Sequence, residues 1–455
     1  MKSNDFGRRI VEQRAHDHAV TPATRVRPLA VQLSEQSDVK ESVRAALLSR
    51  IDPAAAARMP RDSLKAEIAT MVREIATEER AQLNMLEECL LADELTADMV
   101  GLGPLEPLLD DDEVTDILVN GPFSIFVERH GKLEKTNARF RDAQHVVTVV
   151  QRIASAMGRR IDEASPMVDA RLADGSRVNI ILPPLVLNGG SISIRKFSKK
   201  NITLDMMAQS NNLSRDMVRF FDVASRARYN ILVSGGTGSG KTTLLNAISR
   251  NIDPSERIIT IEDAAELRLQ QPHVVQMETR SANVEGVGEV SQRDLVRNAL
   301  RMRPDRIIVG EVRGSEALDM MQAMNTGHDG SMSTIHANTP RDALYRLENM
   351  MLMANVNLPL RAIRTQIASA INIVVQIERM RDGVRRIQSI SEITGVEGDV
   401  ITIHDLFTFT YAGETREGVL EGFFESARTR PYLLQRAAQF GLEQRLLEAL
   451  GVGGK

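Results

Sequence analysis

The feature that most constrains the fold of this chain is an apolar strand that runs directly into a glycine-rich loop and then into a helix. Residues 231–234 read Ile-Leu-Val-Ser, and residues 235–243 read Gly-Gly-Thr-Gly-Ser-Gly-Lys-Thr-Thr. This is the G-x-x-x-x-G-K-[ST] pattern of a phosphate-binding loop, and an ordinary glycine-rich loop is the alternative. The apolar strand before the loop and the helical spacing of Leu244 and Ile248 after it favour a nucleotide site.

Each residue type in this loop has a physical role in holding phosphate. Glycines allow positive φ and bring backbone N–H groups against phosphate oxygens without an intervening side chain. The helix over roughly 241–250 would direct its positive N-terminal end at the same anion. Lys241 is predicted to reach the β- and γ-phosphates, and the Thr242 hydroxyl is predicted to bind Mg²⁺. The predicted nucleotide-binding residues are Gly235, Gly236, Thr237, Gly238, Ser239, Gly240, Lys241, Thr242 and Thr243.

Length and composition limit the remaining possibilities. A chain of 455 residues is long enough for two or three domains, and a net charge of −4 argues against a general polyanion-binding surface. Its one cysteine, Cys89, excludes a disulfide framework and a four-cysteine zinc site, and its apolar helical context predicts that it is buried. The N-terminus has no apolar signal segment and no stretch has the length of a membrane span, which predicts a soluble cytoplasmic protein. Contact with a membrane protein stays open.

The N-terminal half divides into three regions. Residues 1–37 have mixed charge and no apolar period, and we predict that they are disordered. Residues 38–100 carry two helical stripes and are predicted to form a small helical bundle. Such stripes usually form a core, and a docking surface for a partner is the alternative. Residues 101–197 combine short alternating strands, a hairpin turn at Asp174-Gly175 and one helix capped by Asp142, which predicts an α+β domain.

The C-terminal half has the pattern of an α/β domain. Residues 198–213 are polar and are predicted to be a linker. From 214 to 455, apolar strands alternate with helices, which predicts a parallel sheet covered on both faces. Within this part, residues 371–410 suggest a small antiparallel meander, followed by a helical tail.

Two of the predicted parallel strands are followed by acidic residues. Residues 258–261 lead into Glu262, and residues 307–310 lead into Glu311. Ligands bind at the carboxyl ends of strands in open α/β sheets, so Glu311 occupies the usual place for activating an attacking water. One such carboxylate is usually a solvated loop residue, but two of them downstream of a phosphate-binding loop favour catalysis. Gly310 stands where many such enzymes carry a Mg²⁺-binding aspartate, so the carboxylate partner of the metal stays open.

Three further residues are ambiguous on pattern alone. His336 follows another short apolar strand, and a lone histidine is more often a structural hydrogen-bonding group than a functional one. Arg177 and Arg195 lie on predicted strands of the α+β domain, where arginines usually cover a solvated face.

Four ordered blocks resemble the Walker A, Asp box, Walker B and His box of the type II/type IV secretion ATPase superfamily. They are residues 235–243, 261–267, 303–313 and 327–338. Gly-Leu-Gly-Pro-Leu-Glu-Pro-Leu-Leu at 101–109 and Asp-Ile-Leu-Val-Asn-Gly-Pro at 116–122 resemble the CpaF branch, the ATPases of tight-adherence (Tad) pilus machines. The resemblance extends over about residues 95–410.

The resemblance implies a hexameric ring of two-domain subunits, with ATP and Mg²⁺ bound between the N-terminal α+β domain and a RecA-like C-terminal domain. It implies that Glu262 and Glu311 are catalytic and that His336 senses or couples the nucleotide state. By the same resemblance, Arg177 and Arg195 approach the γ-phosphate.

The function implied by the resemblance is ATP hydrolysis that powers assembly of a Tad-type pilus, with retraction as an open alternative. The expected partners are a platform at the cytoplasmic face of the inner membrane and a regulatory protein at the N-terminal helices. The nearest alternative is a VirB11-like ATPase of a type IV secretion or DNA-transfer system. A nucleotide-gated scaffold is a further alternative, disfavoured by the intact catalytic residues. A nucleic-acid motor is disfavoured by the acidic charge balance and the lack of a basic-aromatic groove.

Overall fold

The computed structural model describes residues 29–56, 58–129, 131–197, 201–280, 282, 287–354, 357–415 and 418–452. The chain divides into two compact units, with the boundary between Glu106 and Pro107. The predicted disorder over residues 1–28 lies outside the described residues. Within that described part, no helix is both long enough and apolar enough to span a bilayer.

The first unit is helical. Its elements are α1 (Leu29–Arg50), α2 (Pro53–Ala56), α3 (Arg61–Glu78), α4 (Met85–Val100) and a 3₁₀ turn (Gly103–Leu105). Residues buried in its core include Val43, Leu47, Leu64, Ile68, Val72, Ile75, Leu91 and Leu95. The N-terminal part of α1 lies inside the segment predicted to be disordered. Cys89 is exposed, so the prediction of burial is wrong. The reason is that α4 buries the face of Leu91 and Leu95, and Cys89 lies on the opposite face.

The second unit contains a six-stranded antiparallel sheet. Its elements are α5 (Glu106–Asp110), β1 (Val114–Asn120), β2 (Ile125–Arg129), β3 (Lys132–Lys135), α6 (Ala143–Ala156), β4 (Met167–Arg171), β5 (Arg177–Ile181) and β6 (Ser191–Arg195). The strand order is β3-β2-β1-β6-β5-β4. Helix α6 begins after Asp142, whose side chain accepts a hydrogen bond from the His145 N–H, as the sequence predicts. This part has the predicted α+β architecture.

The rest of the second unit is built on a nine-stranded sheet. Its strands are β7 (Ile231–Ser234), β8 (Ile258–Glu262), β9 (Val274–Glu278), β10 (Arg306–Val309), β11 (Met332–Ile335), β12 (Ile373–Arg379), β13 (Arg385–Glu397), β14 (Val400–Glu414) and β15 (Leu420–Ser426). Its helices are α7 (Leu204–Gln209), α8 (Arg215–Arg226), α9 (Lys241–Ser249), α10 (Gln292–Ala299), α11 (Glu316–Asn325), α12 (Pro340–Leu352), α13 (Leu360–Ala370), α14 (Leu434–Gln439) and α15 (Glu443–Ala449).

The strand order β15-β14-β13-β12-β7-β11-β10-β8-β9 explains how this sheet is organised. Strands β12, β7, β11, β10, β8 and β9 are parallel, and hydrophobic clusters cover both faces of the sheet. The prediction of an α/β, RecA-like fold is confirmed. The predicted meander is not a separate module, because β12 pairs in parallel with β7 and its antiparallel strands β13–β15 continue the same sheet.

The segment predicted to be a linker, 198–213, contains helix α7. The Thr203 side chain accepts a hydrogen bond from the Met206 N–H and caps this helix. Leu204, Met207 and Leu213 are buried in the core cluster on one face of the nine-stranded sheet. The exposed Asp205 and Gln209 lie on the outer side of this short packed helix.

Candidate nucleotide site

The glycine-rich loop connects β7 to α9 at the carboxyl edge of the nine-stranded sheet. Gly238 and Gly240 have φ values of +68° and +97°, a region that side chains with a Cβ rarely adopt. A Cβ added at Gly235 would lie 2.3 Å from the carbonyl oxygen of Ile377. Glycine is therefore required at these three positions for the loop to take this shape. Helix α9 begins at Lys241, so its free N–H groups face the loop.

Lys241 turns back onto the loop. Its Nζ donates hydrogen bonds to the carbonyl oxygens of Gly235 and Gly236, both at 3.0 Å. Burial lowers the pKa of Lys241, the charge of Glu311 opposes this shift, and the charge of Arg195 adds to it. Thr242 and Thr243 follow in the first turn of α9 and are half-buried. The Lys241 ammonium is therefore held at the loop mouth by neutral carbonyl groups, which a phosphate can replace.

The strand order places the other predicted residues beside the loop. Glu262 is the last residue of β8, and Glu311 lies two residues beyond the end of β10. These strands are parallel neighbours, with Val309 opposite Ile261, so their carboxyl ends lie side by side. His336 directly follows β11, which lies between β7 and β10. The structure thus brings Glu262, Glu311 and His336 to the same edge as the loop.

Glu262 is a buried carboxylate. Its Oε1 accepts hydrogen bonds from the backbone N–H groups of Glu266 at 2.9 Å and Leu267 at 3.0 Å. Burial raises the pKa of Glu262 to about 7, although these two hydrogen bonds act in the opposite direction. A Cβ at Gly310 would lie 2.8 Å from Cγ of Glu262. Glycine at 310 therefore provides the space that Glu262 occupies, and an aspartate there would require Glu262 to move.

Arg313 joins the two acidic strand ends, and its sequence position alone does not predict this role. Its Nη2 donates to Glu311 Oε2 at 2.6 Å, and its Nη1 donates to Asp263 Oδ2 at 3.0 Å. The buried carboxylate of Glu316 accepts hydrogen bonds from the backbone N–H groups of Arg313 at 2.6 Å and Gly314 at 2.7 Å, which fixes the turn. The sequence feature that could have indicated this role is the position of Arg313, two residues after Glu311 and within the block at 303–313.

The two arginines predicted in the α+β part lie opposite each other on β5 and β6. Nη1 of Arg177 lies 3.5 Å from Oε1 of Glu266, in the loop that follows β8. Arg195 lies 3.7 Å from Asp116 and is close enough to Lys241 to affect its pKa. Both side chains remain partly exposed; Arg177 contacts the segment that follows β8, and Arg195 lies near Lys241 of the loop. Their contact with a γ-phosphate stays a prediction.

The side chains at this edge can contribute to a magnesium site but do not form one alone. Among the described residues, no group of three or more His, Cys, Asp or Glu side chains could hold a metal ion. The Thr242 hydroxyl and the carboxylates of Glu262 and Glu311 are oxygen ligands of the type that Mg²⁺ prefers. Mg²⁺ usually takes one or two protein ligands together with phosphate oxygens and water. The residues fit a metal that binds with the nucleotide.

The family described as Type II/IV secretion system protein matches residues 98–394 of this chain. A Mycobacterium tuberculosis protein provisionally named a conjugal transfer protein is 41% identical over 67% of this chain and 88% of its own length. The conjugal transfer protein TrbB of Rhizobium radiobacter is 35% identical over 63% of this chain and 86% of its own length. Among solved structures, the VirB11 ATPase of the Brucella suis type IV secretion system is 31% identical. That similarity covers 64% of this chain and 92% of the VirB11 chain, with a TM-score of 0.36.

Proposed function

This chain belongs to the family of type II/IV secretion system proteins and is an ATPase of the secretion and pilus type, and we propose that it powers assembly of a Tad-type pilus. In this proposal it forms a hexameric ring at the cytoplasmic face of the inner membrane, binds Mg²⁺ with ATP and acts on the pilus platform. The observation that supports the chemistry is the convergence of the phosphate-binding loop, Glu262, Glu311 and His336 on one sheet edge. The proposal that the ATPase acts on a Tad pilus rests on the sequence blocks at 101–109 and 116–122.

In the proposed mechanism, backbone N–H groups of the loop and of the first turn of α9 hold the phosphates. Lys241 exchanges the carbonyl oxygens of Gly235 and Gly236 for phosphate oxygens, a charge-assisted contact that is stronger than the one it leaves. The Thr242 hydroxyl would hold the magnesium ion, which neutralises charge on the phosphates when it is bound.

Glu311 orients the attacking water and accepts its proton. The water oxygen bonds to the γ-phosphorus while the bond from that phosphorus to the ADP oxygen breaks. Glu262, with a pKa near 7, can hold or release a proton close to neutral pH. Arg177 and Arg195 supply positive charge as negative charge moves onto the leaving oxygen, and His336 couples that change to β11.

A second client is favoured by the relatives. Two of them are named for conjugal transfer, and another is the type IV secretion protein VirB11 of Bartonella quintana, which is 31% identical over 61% of this chain. A VirB11-like role in a type IV secretion system would use the same chemistry. Deletion of the gene separates the two: loss of surface pili in electron micrographs supports the Tad client. Intact pili with loss of DNA or protein transfer would support the VirB11-like client instead.

The enzymatic proposal is tested by two substitutions in purified protein. We expect Glu311→Gln to lower phosphate release by about 100-fold or more while ATP binding stays within a few-fold of wild type. Lys241→Ala should lose ATP binding itself. The exposed Glu113→Gln serves as the control and should behave as wild type. Undiminished turnover in Glu311→Gln would remove Glu311 from the mechanism. A particle of six times the 50.4 kDa protomer in the presence of a non-hydrolysable ATP analogue would support the ring.

A further inference from the structure

A hairpin rich in arginine lies next to the phosphate-binding loop. Strand β12 pairs with β7 on the side away from β11, and therefore away from Glu311. Because β12 is parallel to β7, its last residue, Arg379, reaches the same edge of the sheet as the loop. The hairpin then returns with Arg385 directly opposite Arg379. No sequence pattern indicates a role for the arginines of this hairpin.

Arg385 contacts the phosphate-binding loop directly. Its Nε donates a hydrogen bond to the carbonyl oxygen of Gly238 at 2.9 Å. A Cβ added at Gly240 would lie 3.1 Å from Cδ of Arg385, so the arginine stem lies against the loop backbone. A guanidinium has five N–H donors, and one neutral carbonyl oxygen uses only part of this capacity.

Little negative charge lies near the Arg385 guanidinium. Among the described residues, no ion pair within 4.0 Å involves Arg385. Partial burial and then the nearby charge of Arg379 lower the pKa of Arg385; Arg195 adds to this shift and Glu128 opposes it. Arg379 is itself held by the carbonyl oxygen of Gly131 at 2.7 Å. Arg379 and Arg385 thus lie together with no carboxylate of the described residues within 4.0 Å of either guanidinium, and such a pair of positive charges favours the binding of an anion.

We propose that Arg385 is a further nucleotide-binding residue, which turns from the Gly238 carbonyl to an oxygen of the γ-phosphate of the bound triphosphate. This inference rests on the nucleotide site proposed above. Arg385 would close that site on the side opposite Glu311, while Arg177 and Arg195 approach from the α+β part. The exchange is favourable because a guanidinium binds a charged phosphate oxygen more strongly than a neutral carbonyl oxygen.

The test compares two arginines of the same hairpin. Arg381 is exposed and pairs with Glu414 at 2.8 Å and with the Tyr411 hydroxyl at 2.8 Å, so Arg381→Gln is a control with the same charge change. Binding of fluorescent ATP and ADP analogues is measured for the full chain. We expect Arg385→Gln to weaken ATP binding by about 10- to 100-fold, which corresponds to the free energy of one hydrogen bond to a charged group. We expect a smaller loss for ADP, which carries less charge, and near wild-type binding in Arg381→Gln.

Two results would overturn the inference. One is ATP binding in Arg385→Gln within two-fold of Arg381→Gln. The other is an equal loss for ATP and ADP, because Arg385 would then only support the loop. Melting curves of both variants confirm folding. If Arg385→Gln does not fold, ATP binding is measured in Arg385→Lys instead. Wild-type ATP affinity in that variant would exclude a contact that is specific to the guanidinium.

The Lys241→Ala variant separates this inference from the proposed function. If Lys241→Ala loses ATP binding while Arg385→Gln keeps it, the nucleotide site stands and only the role of Arg385 fails. If Lys241→Ala binds ATP as well as wild type does, the nucleotide site itself is misplaced.

Discussion

Strand β10 carries an arginine–carboxylate cluster at each end, and the two clusters differ in what their charges contact. At the amino end, Arg306 is fully buried. Its guanidinium forms two hydrogen bonds with Glu256, one of them at 2.9 Å from Nη2 to Oε1, and also donates to the Ser225 carbonyl at 2.7 Å. A Cβ at Gly330 would lie 2.4 Å from Nη1 of Arg306, so the cavity is shaped around this side chain.

At the carboxyl end, Arg313 is bound to Glu311 and Asp263, but its side chain is 52% exposed. Solvent or a ligand can replace the carboxylate partners of Arg313, whereas neither can reach Arg306 because its side chain is fully buried. The difference shows that similar ion pairs at the two ends of one strand can have opposite roles. The buried pair stabilises the sheet, and the exposed pair keeps charged groups available for a ligand.

The largest effect on stability is expected at the buried cluster. Arg306→Met should lower the free energy of unfolding by about 3–5 kcal/mol, because the buried Glu256 carboxylate loses both hydrogen bonds from Arg306 and keeps only the 3.4 Å ion pair with Arg228. Substitution of the exposed Arg301 by Met is the control and should change the free energy of unfolding little. Chemical denaturation measures both. Adding Glu256→Met to Arg306→Met should restore part of the loss, and a further loss in the double variant would contradict this explanation.

A smaller, pH-dependent effect on stability is expected at Glu262. This residue combines features of both clusters, because its side chain is buried like Arg306 and yet belongs to the candidate site like Arg313. Its folded pKa of about 7 exceeds the ordinary value of 4.5, so the folded state holds the proton more tightly. Glu262 therefore contributes stability below pH 4.5, and this contribution is lost as the pH rises through 7.

Between pH 4.5 and pH 8 the loss amounts to about 3 kcal/mol. We expect Glu262→Gln to lack this decline, so the difference in unfolding free energy between the variant and wild type should change with pH. Denaturation at pH 5 and pH 8 measures it, with Glu113→Gln as the control for the rest of the protein. A pH-independent difference between Glu262→Gln and wild type would refute the buried-carboxylate explanation.

The smallest effect on stability is expected at Arg313. Arg313→Met should change the free energy of unfolding by less than about 1 kcal/mol, because ion pairs of exposed side chains contribute little. It should nevertheless lower the turnover number at least about ten-fold, since Arg313 positions Glu311. Melting curves and steady-state kinetics test the two parts. The comparison between the two ends of β10 breaks down if Arg313→Met destabilises the protein as much as Arg306→Met does.

Sequence patterns predicted the α/β fold and the position of the glycine-rich loop between β7 and α9. These features depend on local signals, namely apolar runs and glycines at positions of positive φ. The same reasoning missed Arg313 and Arg385, because surface arginines cannot be told apart until the strand order is known. It also misread α7 as a linker and Cys89 as buried, because burial depends on which helix face meets the core.

The sequence by itself determined that residues 231–243 form a strand, a glycine-rich loop and a helix, because each of these depends on neighbouring residues. The tertiary structure alone decided which charges meet at that loop. Glu262 and Glu311 come to the same edge of the sheet only through the parallel pairing of β8 and β10, and Arg385 reaches the loop only because β12 pairs with β7. Pairing between strands distant in sequence follows from packing of the whole sheet, which no local pattern specifies.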